Sequence, residues 1–345
     1  MTQHTLQSVL VTGGAGFIGS NFIRLLLAER SGIRLVNLDK LTYAGNLENL
    51  ADFEGNPNYR FVKGDIAEQA LLEELIAEEG VDTIVNFAAE SHVDRSILSG
   101  AEFVRTNVGG AQALLAAARA GGVARFVQIS TDEVYGTLGP EGRFTEQTPL
   151  APNSPYSASK AGADLMCRAY HETFGLPVMI TRCSNNYGPY QFPEKLIPLM
   201  IIKARAGEAL PVYGDGMNVR DWIHVDDHNR AVLAVAEGAR PGEIYNIGAD
   251  NEWPNIRIVR RILEILGRGE DLVQFVKDRP GHDRRYAIDA TKIRTELGWR
   301  PRVDFDEGLR QTVQWYLDHE TWWRRVMTGE YQKYYEQNYA GKMTS

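Results

Sequence analysis

The sequence lacks the features that would direct the chain to a membrane, a secretory route or a nucleic acid. Its 345 residues hold no apolar run near the roughly 18 that a membrane helix needs. Its first residues lack the charged and apolar segments of a secretory signal. The net charge of −8 argues against a polyanionic partner. We therefore expect no membrane partner and no nucleic-acid partner.

Cysteine is equally scarce. Cys167 and Cys183 are the two in the sequence, which is too few for a disulfide framework. This usage is typical of a reducing compartment, so we expect a cytoplasmic protein.

What the sequence has is a regular alternation of strand-like and helix-like runs over its first half. Such alternation predicts an α/β fold with a Rossmann-type, doubly wound parallel sheet. The predicted strands are 8–12, 34–38, 60–63, 83–87, 125–129 and 178–183.

A glycine-rich run follows the first predicted strand and leads directly into a helical pattern. Gly13, Gly16 and Gly19 fit the spacing that lets backbone approach a pyrophosphate at a helix N-terminus. The second predicted strand ends at Asp39, twenty residues after Gly19. An acid there accepts hydrogen bonds from both ribose hydroxyls, which predicts NAD rather than NADP.

The alternation breaks after Gly188, where prolines punctuate a mixed segment. A helix at 232–236 and a strand at 244–247 are expected to return to the first lobe. We therefore predict an NAD-binding Rossmann domain from 1–184 with about 224–249, interleaved with a smaller mixed α/β lobe from about 185–223 with 250–335.

Ser130, Thr131, Asp132 and Glu133 follow the predicted strand at 125–129, where ligands bind in such sheets. On a continuing strand the two carboxyl groups would point to opposite faces. A turn or helix start capped by Ser130 or Thr131 would let both point into one crevice.

Tyr156 and Lys160 are four residues apart, so on a helix they share a face. A lysine ammonium beside a tyrosine lowers the pKa of the phenol and makes it available as a base. Alone, this spacing would indicate a plain surface pair. Together with the glycine run and the Ser130–Thr131 pair, it favours a catalytic base.

His224 and His228 are also four residues apart, but they lack the glutamate of a zinc-binding H-E-x-x-H motif and a third ligand placed by spacing. We predict no metal site. The aromatic residues near the C-terminus are better explained by core and interface packing than by stacking on nucleic acid.

These motifs resemble the extended short-chain dehydrogenase/reductase superfamily and, within it, the dTDP-glucose 4,6-dehydratases. The resemblance runs from Thr12–Gly19 to Leu297–Trp299, and its most specific part is Thr131-Asp132-Glu133. The segments Ser184–Pro198 and 278–286 are similarly characteristic of these enzymes.

The resemblance implies a catalytic set, a cofactor site and a substrate site. The implied catalytic residues are Thr131, Asp132, Glu133, Tyr156 and Lys160. The implied NAD-binding residues are Gly13, Gly16, Phe17, Ile18, Gly19, Asp39, Lys40, Leu41, Thr42, Asp65, Ile66, Phe87, Ala88, Ala89, Ser91, Thr106, Tyr156, Lys160 and Asn186. The implied nucleotide-sugar-binding residues are Ser91, Thr131, Asn185, Lys195, Leu196, Pro211, Tyr213, Arg220, Asn255, Arg279 and His282.

The resemblance further implies dehydration of dTDP-glucose by internal hydride transfer through bound NAD, and a homodimer formed through helices of the first lobe. Two alternatives stay open. One is an epimerase or decarboxylase acting on another nucleotide sugar, against which the Asp132-Glu133 pair argues. The other is a non-catalytic NAD-sensing protein, against which the intact Thr131, Tyr156 and Lys160 set argues.

Overall fold

The computed structural model describes residues 4–278 and 281–327. Arg279 and the predicted lobe's last residues, 328–335, therefore lie outside the described residues. The strands in the described part are β1 Ser8–Thr12, β2 Arg34–Asp39, β3 Tyr59–Lys63, β4 Thr83–Asn86, β5 Arg125–Thr131, β6 Val178–Cys183, β7 Asn185–Tyr187, β8 Leu210–Tyr213, β9 Val219–His224, β10 Ile244–Ile247, β11 Glu252–Pro254 and β12 Val273–Val276.

The first lobe is built on a parallel sheet of seven strands in the order β10-β6-β5-β4-β1-β2-β3. β1 pairs with β2 on one side and β4 on the other, so the strand order reverses there. Ligands of open α/β sheets bind outside the carboxyl ends of the strands at such a point. The predicted doubly wound fold is confirmed.

Helices cover both faces of this sheet and build much of the second lobe. The α-helices in the described part are α1 Phe17–Glu29, α2 Gln69–Glu79, α3 Val93–Leu98, α4 Ala101–Phe103, α5 Ala111–Ala120, α6 Pro155–Phe174, α7 Leu196–Ala206, α8 Val225–Gly238, α9 Asn255–Ile265, α10 Thr291–Glu296, α11 Phe305–Asp318 and α12 Glu320–Val326. Short 3₁₀ segments lie at Leu47–Phe53, Asp132–Tyr135 and Glu270–Leu272.

Each face of the sheet has its own apolar core. Residues of α1, α8 and α10 fill the core on one face, and residues of α2, α5 and α6 fill the core on the other. Sandwiched between them, β5 has all seven of its residues buried. This burial explains why the central strands read as nearly continuous apolar runs.

The second lobe contains a mixed sheet of β11, β9 and β7 and a parallel pair of β12 and β8. Its core lies among α7, α9, α11 and α12. α8 and β10 return to the first lobe, where β10 pairs with β6. Ile293 and Trp299 also pack in the first lobe's core, although the predicted division assigns them to the second. The exact division stays a prediction.

One predicted helix has an irregular middle. The sequence predicts a single helix over about 101–120, and the structure places a π-helical segment, Val104–Gly110, between α4 and α5. Such segments are frequent at functional sites, and this one carries Thr106, a predicted cofactor residue.

The 3₁₀ segment Leu47–Phe53 connects the first glycine-rich loop to the last described helix. Asn49 Nδ2 donates to Ala15 O at 2.9 Å, and Trp322 Nε1 of α12 donates to Asn49 Oδ1 at 2.9 Å. One amide thus joins the start of the first lobe to the end of the second.

Within residues 4–278 and 281–327, no helix is long and apolar enough to cross a membrane. In the same residues, His, Cys, Asp and Glu side chains do not come together in a group of three suited to a metal ion. His228 is fully buried, and this burial lowers its pKa to about 3, so its ring is neutral.

Replacing Phe126, which lies in β5 and is 0% exposed, by alanine should leave a cavity in the first lobe. We expect Phe126→Ala to lower the free energy of unfolding by about 3–5 kcal/mol, measured by chemical denaturation. Phe275→Ala is the matched control because Phe275 is 55% exposed. Similar losses for the two variants would contradict the packing described here.

Candidate active site

One cleft at the carboxyl ends of the sheet strands brings the predicted site residues together. It is lined by all of them except Leu41 and Arg279. Leu41 has a φ of +56°, and its N–H donates to Asp39 Oδ1 at 2.8 Å. Arg279 lies outside the described residues. The individual roles of the lining residues stay predictions.

The glycine loop forms the floor of the cleft between β1 and α1. Gly13 has a φ of +69°, and a Cβ at this position would lie 2.6 Å from the backbone nitrogen of Ala88. A Cβ at Gly19 would lie 2.4 Å from Gly13 O. Both positions therefore require glycine, which gives the loop the exposed backbone that a pyrophosphate contacts.

Asp39 lies at the end of β2, in the part of the cleft that is predicted to hold the adenosine ribose. Its Oδ2 accepts from the N–H of Ala15 at 2.9 Å, while its Oδ1 accepts from Leu41. Burial raises the pKa of Asp39, and these two backbone N–H groups oppose the rise. Each carboxylate oxygen has a second lone pair, so both can still accept from ribose hydroxyls. The loop and this acid fit NAD.

β5 runs directly into the 3₁₀ turn that carries the carboxyl pair. Thr131 Oγ1 accepts from the N–H of Glu133 at 3.3 Å and so caps the turn. The turn, rather than a continuing strand, places Asp132 and Glu133 in the wall of one cleft. The predicted capped turn is confirmed, with Thr131 rather than Ser130 as the cap.

The two carboxyl groups have different environments. Asp132 is 1% exposed, and Glu133 is half-buried. Burial, then the charges of Glu133 and Asp221, raises the pKa of Asp132 well above its usual value, while Arg220 opposes the rise. These surroundings favour the protonated form of Asp132. Its Oδ2 has no hydrogen-bond partner within the described chain.

Asp221 is a second buried carboxyl group, close enough to Asp132 for its charge to act on it. It accepts backbone N–H bonds from Asn251 at 2.6 Å and Ala249 at 3.2 Å. Burial raises the pKa of Asp221 to about 6, against the effect of these two bonds. A carboxylate here favours the protonated form of Asp132.

Tyr156 and Lys160 project from the first turns of α6, which a capping box of Ser154 and Ser157 starts. Lys160 Nζ donates to Ile129 O of β5 at 2.7 Å. The Tyr156 phenol lies near enough to Thr131 for the threonine hydroxyl to oppose the rise in the phenol pKa. The helix thus brings the tyrosine next to the turn that follows β5.

Burial, followed by the charge of Glu133, raises the pKa of Tyr156 well above 10.0. Burial also lowers the pKa of Lys160, opposed mainly by Asp164. These environments favour a protonated phenol, since Lys160 directs its ammonium to a backbone carbonyl. The expectation that Lys160 lowers the phenol pKa is therefore not borne out, because burial and the charge of Glu133 raise this pKa instead.

The second lobe supplies the opposite wall. Lys195 Nζ donates to Ser91 O at 3.3 Å across the cleft. Arg220 donates to Val219 O and Asp283 O and lies over the Tyr286 ring at 4.3 Å. The Tyr213 and His282 rings are edge to face at 6.2 Å. Two cationic side chains and two aromatic rings thus line this wall.

The cleft also contains residues that the sequence analysis did not assign. His92 Nε2 lies 3.3 Å from Glu194 Oε2, and Tyr43 donates to Glu194 Oε1 at 3.2 Å. His92 follows Ser91 after β4, and Glu194 precedes Lys195. The sequence signal that could have identified His92 and Glu194 was that each directly neighbours a predicted site residue. Further unassigned lining residues include Glu90, Asp94, Cys183, Ser184, Gln191, Phe192, Met200 and Trp222.

Comparisons with known proteins agree on one group of enzymes. The family model described as GDP-mannose 4,6 dehydratase matches residues 10–312. The dTDP-glucose 4,6-dehydratase of Xanthomonas campestris pv. campestris (strain B100) is 56% identical over 340 residues, which cover 93% of this chain and 96% of the relative.

Solved structures are similar over nearly the whole chain. The crystal structure of DesIV, a dTDP-glucose 4,6-dehydratase from Streptomyces venezuelae with NAD bound, has a TM-score of 0.90 at 53% identity and covers 93% of this chain and 100% of that one. The UDP-glucose 4-epimerase of Thermotoga maritima, with UDP-glucose, has a TM-score of 0.84 at 30% identity, covering 90% and 99%.

Gly13→Ala should weaken binding of NAD, measured by calorimetry on nucleotide-free protein. A side chain at a φ of +69° is strained and meets Ala88, so the loop must move. We expect an affinity loss of about tenfold or more. Gly32→Ala is the control, because Gly32 has a φ of +76° with open space around it. Equal affinities for NAD in these two variants would contradict the assigned floor of the cleft.

Proposed function

Because this chain belongs to the dTDP-glucose 4,6-dehydratase family of the extended short-chain dehydrogenase/reductase superfamily, we propose that it converts dTDP-glucose to dTDP-4-keto-6-deoxyglucose. It is an NAD-dependent hydro-lyase of deoxysugar biosynthesis. The observation that carries this proposal is the Asp132-Glu133 pair, in which a buried carboxyl group with a raised pKa lies beside a more exposed one.

NAD, when bound, accepts a hydride from C4 of the hexose and later returns it to C6, so the cycle needs no external redox partner. The glycine loop and Asp39 are the residues that would hold its pyrophosphate and adenosine ribose. Thr106, Tyr156 and Lys160 line the same cleft toward the reacting end.

Tyr156 is proposed to act as its phenolate, a form that the positive charge of Lys160, one turn along the same helix, would stabilise. The phenolate takes the proton of the C4 hydroxyl, and Thr131 is proposed to contact the same oxygen. Oxidation at C4 makes a ketone, which acidifies the C5 proton. Glu133 then removes that proton as a general base. Asp132 gives its proton to the C6 hydroxyl, the C6–O bond breaks, and water leaves. As the hydride returns to C6, a proton adds to C5, which completes the saturated product.

The division of roles between the carboxyl groups follows from their burial. Burial, together with the nearby carboxyl groups of Glu133 and Asp221, raises the pKa of Asp132 and so favours its proton. Glu133 is half-buried and has its backbone fixed by Thr131. One group is thus a donor and its neighbour an acceptor, as an elimination requires.

Lys195 and Arg220 are proposed to meet the diphosphate, since cationic donors suit a doubly charged linker. Tyr213 is proposed to flank the pyrimidine. Their positions in one wall of the cleft support these roles.

An epimerase acting on another nucleotide sugar is the second candidate, because the Thermotoga maritima epimerase has the same fold. Epimerisation does not require an acid–base pair of carboxyl groups such as Asp132 and Glu133 after β5. The proposal of a dehydratase therefore predicts that a screen of nucleotide sugars gives loss of water from dTDP-glucose and no C4 epimer.

Turnover of dTDP-glucose in deuterated water should give a product lighter by one water with one deuterium at C5, read by mass spectrometry and NMR. Glu133→Gln should lower the rate by about 10²–10⁴, because the general base is lost. Glu141→Gln, at an exposed position, should leave it unchanged. Recovered substrate, or an epimer that retains its water, would rule out the dehydratase.

We also propose a homodimer and a cytoplasmic location. The first-lobe helices proposed to pair two copies are those within 101–120 and 158–174. Both carry exposed apolar side chains, with Val104 58% and Leu165 57% exposed. A second copy would cover them. Both cysteines are free thiols in the structure, as a reducing compartment would keep them.

Light scattering should give a particle of twice the 38.6 kDa chain mass. Leu165→Arg should shift it toward one chain, because an arginine would be buried without a partner in the paired helices. Phe275→Arg, at another exposed apolar residue, is the control. A single-chain mass for the unsubstituted protein would overturn the dimer.

A further inference from the structure

A buried ion pair lies beneath the site and does not line the cleft. Arg182 of β6 and Asp164 of α6 are both buried, and Arg182 Nε donates to Asp164 Oδ2 at 2.9 Å. Burying two charges is costly, so such a pair is weak evidence for added stability. Its position suggests another role.

On one side, the guanidinium of Arg182 contacts the turn that carries the carboxyl pair. Arg182 donates from Nη1 to the Tyr135 hydroxyl at 3.0 Å, and its Cζ lies 4.9 Å from the ring centroid. The Tyr135 hydroxyl donates onward to Asn246 Oδ1 at 2.8 Å. Tyr135 ends the segment that begins at Asp132, so Arg182 fixes the far end of that turn.

On the other side, Arg182 reaches the helix of the tyrosine and lysine. Asp164 lies one helical turn beyond Lys160 on the same face of α6, and both side chains are buried. The Asp164 carboxylate favours the charged form of Lys160 against burial. Arg182 in turn fixes that carboxylate.

We infer that Arg182 is a positioning residue that couples the two halves of the catalytic machinery. Through Asp164 it supports Tyr156 and Lys160, which act at C4, and through Tyr135 it supports Asp132 and Glu133, which act at C5 and C6. This inference rests on the proposed function. Both groups of residues are then held at fixed positions around the same hexose. Elimination can therefore follow oxidation at C4 without delay.

Tyr135→Phe should break the link between Arg182 and the turn that carries Asp132 and Glu133. It removes the hydroxyl that Arg182 contacts and keeps both the ring and the Arg182–Asp164 pair. After rapid mixing of the NAD-loaded protein with dTDP-glucose, oxidation should proceed while elimination slows by about tenfold, the scale of one lost hydrogen bond to a charged group. Reduced cofactor should therefore accumulate, seen by its near-ultraviolet absorbance, before deuterium enters C5.

Asp164→Asn should act on the other half. Loss of the carboxylate should slow oxidation itself, so turnover falls with no accumulation of reduced cofactor. Opposite effects of these two variants on the reduced intermediate would not result from a general loss of stability.

Tyr245→Phe is the matched control. Tyr245 is a buried tyrosine of β10 whose hydroxyl donates to Glu296 at 2.9 Å, outside the cleft. It should leave the level of reduced cofactor as in the unsubstituted protein. If Tyr135→Phe also leaves it unchanged, Arg182 does not couple the steps and the inference is wrong. If the unsubstituted protein fails to convert dTDP-glucose, the proposed function fails first, and the inference with it.

Discussion

The hydrogen bond from Lys160 to the carbonyl of Ile129 attaches helix α6, which carries Tyr156 and Lys160, to strand β5 of the sheet. β5 is buried along its whole length, so its backbone cannot shift without disturbing β4 and β6. Because Thr131 and the following turn continue from this strand, one rigid element sets the positions of Asp132, Glu133 and, through Lys160, Tyr156. The close approach of Gly13 to Ala88 likewise fixes the glycine loop, which forms the floor of the cleft, against the residues that follow β4.

The site concentrates buried ionisable groups that a stable core would avoid. Asp132, Asp164 and Asp221 are all buried, and burial raises the pKa of each. Arg182 compensates Asp164 directly, whereas Asp221 depends on two backbone N–H groups. Within the described residues, Asp132 has neither an ion pair nor a pair of backbone N–H groups, and its Oδ2 has no hydrogen-bond partner. This environment suits the proposed role of proton donor.

The sequence predicts the sheet well because its signals are local. The bounds of β1 and β6 agree with the predicted 8–12 and 178–183, since apolar runs end at glycine or polar residues there. The π-helical segment Val104–Gly110 escaped prediction because its residues read as ordinary helix. Helical periodicity does not register a one-residue change in hydrogen bonding.

Contacts between distant segments were the other limit. The predicted residues share one cleft because parallel strands end at one edge, a rule that needs no side-chain detail. The pairing of His92 with Glu194, or of Arg182 with Tyr135, depends on how the lobes and helices pack. Neither pair can therefore be predicted from the sequence alone.

The amide of Asn49 has a consequence for how the protein is made. It holds Ala15 O of the glycine loop with its nitrogen and the Trp322 indole with its oxygen. Trp322 leaves the ribosome long after Ala15. The outer layer of the glycine loop is therefore completed only after residue 322 has been synthesised. A nascent chain can form the sheet early, but it acquires the finished loop late.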